Sequence, residues 1–141
     1  MKQVAYDEVY LDVMMQKTRY LFQLIARNIE TPFRGISDYM TSSYRKYMDM
    51  GNPLYLNKTP KQILGSIGLP NRTDLDISEQ YDEMILAWMA DVYTYLQWKY
   101  NLSSEKMVEK VKPEELYRMF SPLHETSLAN AVDKVKEIYE L

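Results

Sequence analysis

Arg118 and His124 are the side chains of this 141-residue chain whose types and spacing best suit chemistry. The histidine is the only one present, and the five residues Met-Phe-Ser-Pro-Leu separate it from the arginine. An imidazole titrates near neutral pH and can take and return a proton, while a guanidinium offers a fixed fork of donors to a phosphate. Such a pair would suit phosphodiester cleavage, with one group moving a proton and the other holding the developing charge. With a single His and no Cys, the chain excludes a two-histidine metal site, thiolate metal sites, a disulfide framework and a Cys nucleophile. A Ser-His relay would also have to use His124.

The spacing of Arg118 and His124 resembles the Arg-x4-6-His motif of the HEPN ribonucleases, a family of small all-helical domains, often toxins. The resemblance implies a dimer in which Arg118 stabilises the scissile phosphate and His124 acts in acid-base transfer. Met119 stands where that family commonly has a polar residue, and Pro122 falls in the intervening turn. The simpler expectation is a loop histidine bonded to the exposed amides of the next helix, with the ribonuclease as the alternative function.

Other motifs carry less. The closest glycines, Gly65 and Gly68, fall where a helix ends, so they offer no phosphate cradle at a helix start. Asp74-x-Asp76 opens like a calcium loop, but no Gly follows at the sharp turn and Ile85 stands where the bidentate Glu is needed. No metal and no cofactor is expected. A helix-turn-helix over residues 104–120 would place Glu114 and Glu115 where a recognition helix meets DNA.

Charge points the same way. The formal net charge is -3, which repels a phosphate backbone, so nucleic acid is not the expected partner. Residues 72–91 hold six acids against one base, and residues 17–46 hold six bases against two acids. That polarity fits either the steering of a partner or the ordinary preference of acids for helix starts. The start of the chain carries Asp7, Glu8 and Asp12 where a secretory signal would need an apolar run, and the least charged stretch, residues 84–98, contains Asp91. The expectation is a cytoplasmic protein with no membrane span.

The elements that must position these residues are helices. Residues 5–30 lack Gly and Pro, and apolar residues recur at three-and-four spacing through Tyr6, Val9, Tyr10, Val13, Tyr20, Leu21, Leu24 and Ile25. Thr31-Pro32 ends that helix. A second is expected over residues 37–50, capped by Ser37 and stopped at Gly51. Leu54-Tyr55-Leu56 alternates too briefly for a strand. Thr59-Pro60-Lys61-Gln62 is a capping box with Pro at the first helical position. Asp76 with Glu79 signals the start of a long helix, and short helices follow over residues 105–110, from Pro113 up to a break at Ser121-Pro122, and from Ser127 onward. The expected fold is all-α, an irregular or orthogonal bundle of six to seven helices with no significant sheet, in a single domain over residues 1–141.

The remaining signal is an excess of Tyr (13) and Met (10), concentrated in MILAWMADVYTYLQWKY at residues 84–100. Tyr81, Met84, Trp88, Val92 and Tyr95 form one helical stripe, expected at the centre of the bundle. Met89, Tyr93 and Tyr100 lie off it and, with Asp82 and Asp91, are the candidate partner-binding residues, because Tyr and Met suit protein interfaces. Residues 95–135 also look like a pattern in small helical bacterial and prophage proteins often encoded beside toxin-like genes. These signals give a non-enzymatic protein-protein interaction module as the expected function, with an antitoxin or another inhibitor of a partner protein as its form. A homodimer joined through the aromatic helix is the remaining alternative.

Overall fold

A computed structural model describes residues 3–29, 31–52, 57–69 and 81–141. Among these, eight α-helices follow a short 3-10 turn at Glu8–Tyr10: α1 (Leu11–Asn28), α2 (Pro32–Met40), α3 (Ser43–Asp49), α4 (Pro60–Ser66), α5 (Glu83–Tyr100), α6 (Ser104–Lys110), α7 (Pro113–Leu123) and α8 (Leu128–Ile138). No strand forms among the described residues, and none of these helices is long and apolar enough to cross a membrane. Leu54-Tyr55-Leu56, the Asp74-x-Asp76 pair and the Asp76 and Glu79 start signal lie outside the described residues.

Local chemistry accounts for most boundaries. The Thr59 side chain accepts from the Gln62 amide while Gln62 Oε1 accepts from the Thr59 amide, which completes the expected capping box of α4. Ser103 and Ser127 cap α6 and α8 from one side only, accepting from the Lys106 and Asn130 amides. Gly51 has φ +70°, and a Cβ there would lie 2.6 Å from the Tyr6 Cβ, so both its backbone and its neighbour require glycine.

Several expected boundaries moved. Pro32 does not merely follow a stop: it occupies the first turn of α2, where its missing amide costs nothing, so Ser37 sits inside that helix. Ser42 then caps a separate α3, which splits the expected 37–50 helix in two and raises the helix count. Pro122 does not break α7 either: it lies in the last turn, and past it the His124 amide still donates to the Phe120 carbonyl at 2.9 Å.

The core is built on α1 and α5. Arg19 pairs with Asp91 and Arg27 with Glu83, so rising positions on one meet falling positions on the other and the two run antiparallel. Their contact buries Met14, Leu21, Phe22 and Ile25 against Leu86, Met89, Ala90 and Tyr93, each burial contributing roughly 1.5–3 kcal/mol for a large apolar side chain. The remaining helices pack around this pair, with α7 and α8 against α5, and α2 and α4 against α1. α2 comes close: a Cβ on Gly35 would lie 2.8 Å from Ile25 Cγ2. The chain start is fastened to the far end of α5, where the Ala5 amide donates to the Trp98 carbonyl at 2.9 Å and Trp98 Nε1 donates to the Tyr6 carbonyl at 2.6 Å.

The face that α5 buries is not the expected one. Met84 is 72% exposed, and Tyr81, Trp88 and Tyr95 are only half-buried, whereas Met89 and Tyr93 are fully buried. Of the expected stripe only Val92 is fully buried. At about 100° per residue, the observed buried face lies nearly opposite the expected one.

Candidate functional site

Arg118 and His124 are both exposed on α7. Six helical positions separate them by about 9 Å along the axis and about a third of a turn around it, so the helix itself does not bring them together. His124 forms the C-terminal cap of α7, with its amide donating to the Phe120 carbonyl at 2.9 Å. Nδ1 lies 2.6 Å from the same carbonyl, which can only accept, so that ring nitrogen carries the proton. The ring also stacks on Phe120 at 4.1 Å between centroids. His124 therefore binds back onto its own helix, and not onto the amides of the next one as expected.

The candidate partner-binding residues serve the fold. Asp82 caps α5, accepting from the Met84 amide at 2.8 Å, and its own amide donates to the Tyr117 hydroxyl at 3.0 Å. Asp91 holds Arg19 in an ion pair. The Tyr93 hydroxyl donates to the Val111 carbonyl at 2.5 Å, and its ring meets Phe22 edge-on at 6.2 Å. Met89 and Tyr93 are fully buried, which removes both from any contact surface. Tyr100 is half-buried, with its hydroxyl 2.5 Å from Asp133 and the Lys136 ammonium 4.8 Å from its ring centroid.

The most elaborate polar arrangement was absent from the sequence-based candidates. Arg45, on α3, is fully buried. Its Nε donates to Asp49 Oδ1 at 3.2 Å and to the Ser104 hydroxyl at 3.1 Å, and its Nη1 donates to the Thr18 hydroxyl at 3.0 Å and the Tyr39 hydroxyl at 3.1 Å. Nη2 approaches the Thr94 hydroxyl at 3.4 Å. Burial works against the Arg45 charge, but the fields of Tyr39 and Asp49 outweigh it and hold the guanidinium protonated. Burial raises the Asp49 carboxyl above its ordinary range, against the pull of Arg45 and of the bonds from Ser104. The cluster thus ties α1, α2, α3, α5 and α6 through one side chain. Beside it, the Tyr6 hydroxyl and Gln97 Oε1 are buried with no partner among the described residues, although Gln97 Nε2 donates to the Asp49 and Leu102 carbonyls. The sequence hint was small polar residues inside apolar runs: Thr18 among Met14, Met15, Leu21 and Phe22, and Thr94 within the aromatic helix.

The surface that stands out is the outer face of α1. Val9, in the turn before it, is 71% exposed, Val13 43% and Tyr20 48%. At helical spacing these three share a face with Gln16 and Arg27, both also exposed. Asp12 is exposed near the start of α1, whereas Arg19 and Arg27, further along it, pair with Asp91 and Glu83 of α5. Among the described residues no group of three or more acidic or histidine side chains gathers to hold a metal ion.

Comparison of the chain with protein-family models, with curated proteins and with solved structures finds no match.

Proposed function

We propose that this chain is a non-enzymatic protein-interaction module whose contact surface is the outer face of α1. The observation that carries this reading is the row of Val9, Val13 and Tyr20 exposed along one face of a helix whose other faces are packed. Scattered single apolar residues on a surface are ordinary, but a row framed by charges is the arrangement in which burial against another protein gains free energy. Tyr20 contributes a large, stiff contact area with a polar tip, and the exposed Gln16 supplies an adaptable donor and acceptor beside it. An antitoxin or inhibitor would be one form of such binding.

The test is the double variant Val13→Glu, Tyr20→Glu. Both side chains already meet water, so the thermal midpoint should stay within a few degrees of the wild type, since surface substitutions usually change stability by about 0.5 kcal/mol or less. The variant should lose whatever protein co-purifies with the tagged wild-type chain from its native cell. A variant that keeps that protein at wild-type yield overturns the reading.

A further inference from the structure

We propose that the cavity between the α2–α3 junction and the α5–α6 junction binds a sugar phosphate, with the phosphate at a rim formed by Lys46 and Lys106 and the sugar hydroxyls toward Asp49 and Gln97. The cavity encloses about 770 Å³, within the roughly 300–1,000 Å³ typical of small-molecule sites. None of its lining residues belongs to α1, so it is independent of the outer face of that helix. Its shape follows from the two junctions. Ser104 ties the end of α3 to the start of α6 through Asp49, and Asn101, at φ +51°, turns the chain out of α5. Around this tie the lining includes the short side chains of Ala5, Thr41, Ser42, Ser43 and Ser103, which leave the space between the junctions unfilled.

The inner wall offers acceptors. The Asp49 side chain keeps 12% exposure, and Arg45 balances its charge. Asp49 Oδ2 accepts only the Ser104 amide among the described residues, so the carboxylate retains capacity for a ligand hydroxyl. Gln97, fully buried, belongs to the same wall. Its Nε2 is committed to the Asp49 and Leu102 carbonyls, while Oε1 has no partner among the described residues. A buried acceptor left unmet is costly, and a wall of acceptors selects donors such as hydroxyl groups over anions.

The rim has the opposite preference. Lys46 on α3 and Lys106 on α6 are both exposed, and neither makes an ion pair among the described residues. Glu105 stands with them, so the rim is net positive, and the Ser43 hydroxyl adds a donor. Two ammonium groups and a hydroxyl suit a phosphate dianion. Among the described residues no aromatic ring lines the cavity, so a nucleobase would find no stacking surface there, which favours a sugar phosphate over a nucleotide.

Isothermal titration calorimetry of the full chain with ribose 5-phosphate tests this. Saturable binding at one site per chain is expected. Inorganic phosphate and ribose should each bind at least about tenfold more weakly, because each meets only one half of the site; tenfold corresponds to about 1.4 kcal/mol. Lys46→Ala and Lys106→Ala should each raise the dissociation constant about tenfold, whereas Lys134→Ala, at an exposed lysine outside the cavity, should leave it within about twofold. Circular dichroism of each variant confirms that its helices remain. Neither heat nor a shift in thermal midpoint at millimolar ribose 5-phosphate would overturn the proposal. Equal weakening by Lys134→Ala would also overturn it, as a sign of general charge attraction. The same holds if inorganic phosphate binds as tightly as the sugar phosphate, which marks an adventitious ion only, or if adenosine monophosphate binds more tightly, which marks a nucleotide site.

Discussion

Ser104 holds Asp49 at both carboxylate oxygens: its hydroxyl lies 2.6 Å from Oδ1 and its amide donates to Oδ2 at 2.8 Å, across 55 positions of the chain. This contact joins the end of α3 to the start of α6 and orients the carboxylate toward Arg45. A fully buried guanidinium is then neutralised and bonded at each of its three nitrogens. Pairing with a carboxylate and bonding at every nitrogen make a buried charge tolerable, and they also make the arrangement sensitive to any missing member.

Replacing Arg45 should therefore be among the most damaging single changes in the protein. Arg45→Met leaves the Asp49 carboxylate facing the interior without its cation, and the expected loss is about 3–5 kcal/mol in denaturant unfolding. Adding Asp49→Asn should recover part of it, because the second change removes the charge that the first one stranded. Strict additivity of the two losses would show that they do not act as a pair.

The orientation of α5 is tested by two methionines five positions apart. Met89 is fully buried and Met84 is 72% exposed. Met89→Ala should cost about 2–5 kcal/mol through lost contacts and the cavity left behind, whereas Met84→Ala should stay within about 0.5 kcal/mol of the wild type. Comparable losses at both positions would contradict the observed face.

High pH should unfold the chain through its tyrosines. Burial pushes the Tyr6, Tyr39 and Tyr93 hydroxyls above their ordinary value of 10.0. Tyr139, partly desolvated and donating to Glu115 at 3.0 Å, is pushed up to about 12. Each folded value lies above the unfolded one, so the stability these groups contribute is fully present below pH 10.0 and is lost as pH rises through the folded values. Tyrosinate absorbance followed together with circular dichroism should show the buried tyrosines ionising only as helicity collapses. Ionisation of all thirteen tyrosines near their ordinary value with helicity intact would contradict it.

The helices were legible because their signals are local. The Thr59 and Gln62 capping box, the stop at Gly51 and the caps at Ser103 and Ser127 each depend on a few neighbouring residues. Which face of α5 turns inward was not legible. Apolar side chains surround that helix, so Tyr81, Met84, Trp88 and Val92 on one side and Leu86, Met89, Ala90 and Tyr93 on the other keep equally good helical spacing, and only packing against α1 decides between them. Arg45 was hidden for a related reason. Within the basic residues 17–46 it reads as one more surface cation, and its partners Thr18, Thr94 and Ser104 lie 27 to 59 positions away. The outer face of α1 was concealed because Val9 and Val13 keep the same spacing as the residues beneath them.

The most direct measurement is site-specific photocrosslinking in the native cell, with Tyr20 replaced by benzoylphenylalanine and Tyr47 replaced likewise as a control of similar exposure, 48% against 40%. If the outer face of α1 is the contact surface, illumination should attach a discrete protein to the label at position 20 and not to the one at position 47. No adduct at position 20, or the same adducts at both positions, would contradict the account.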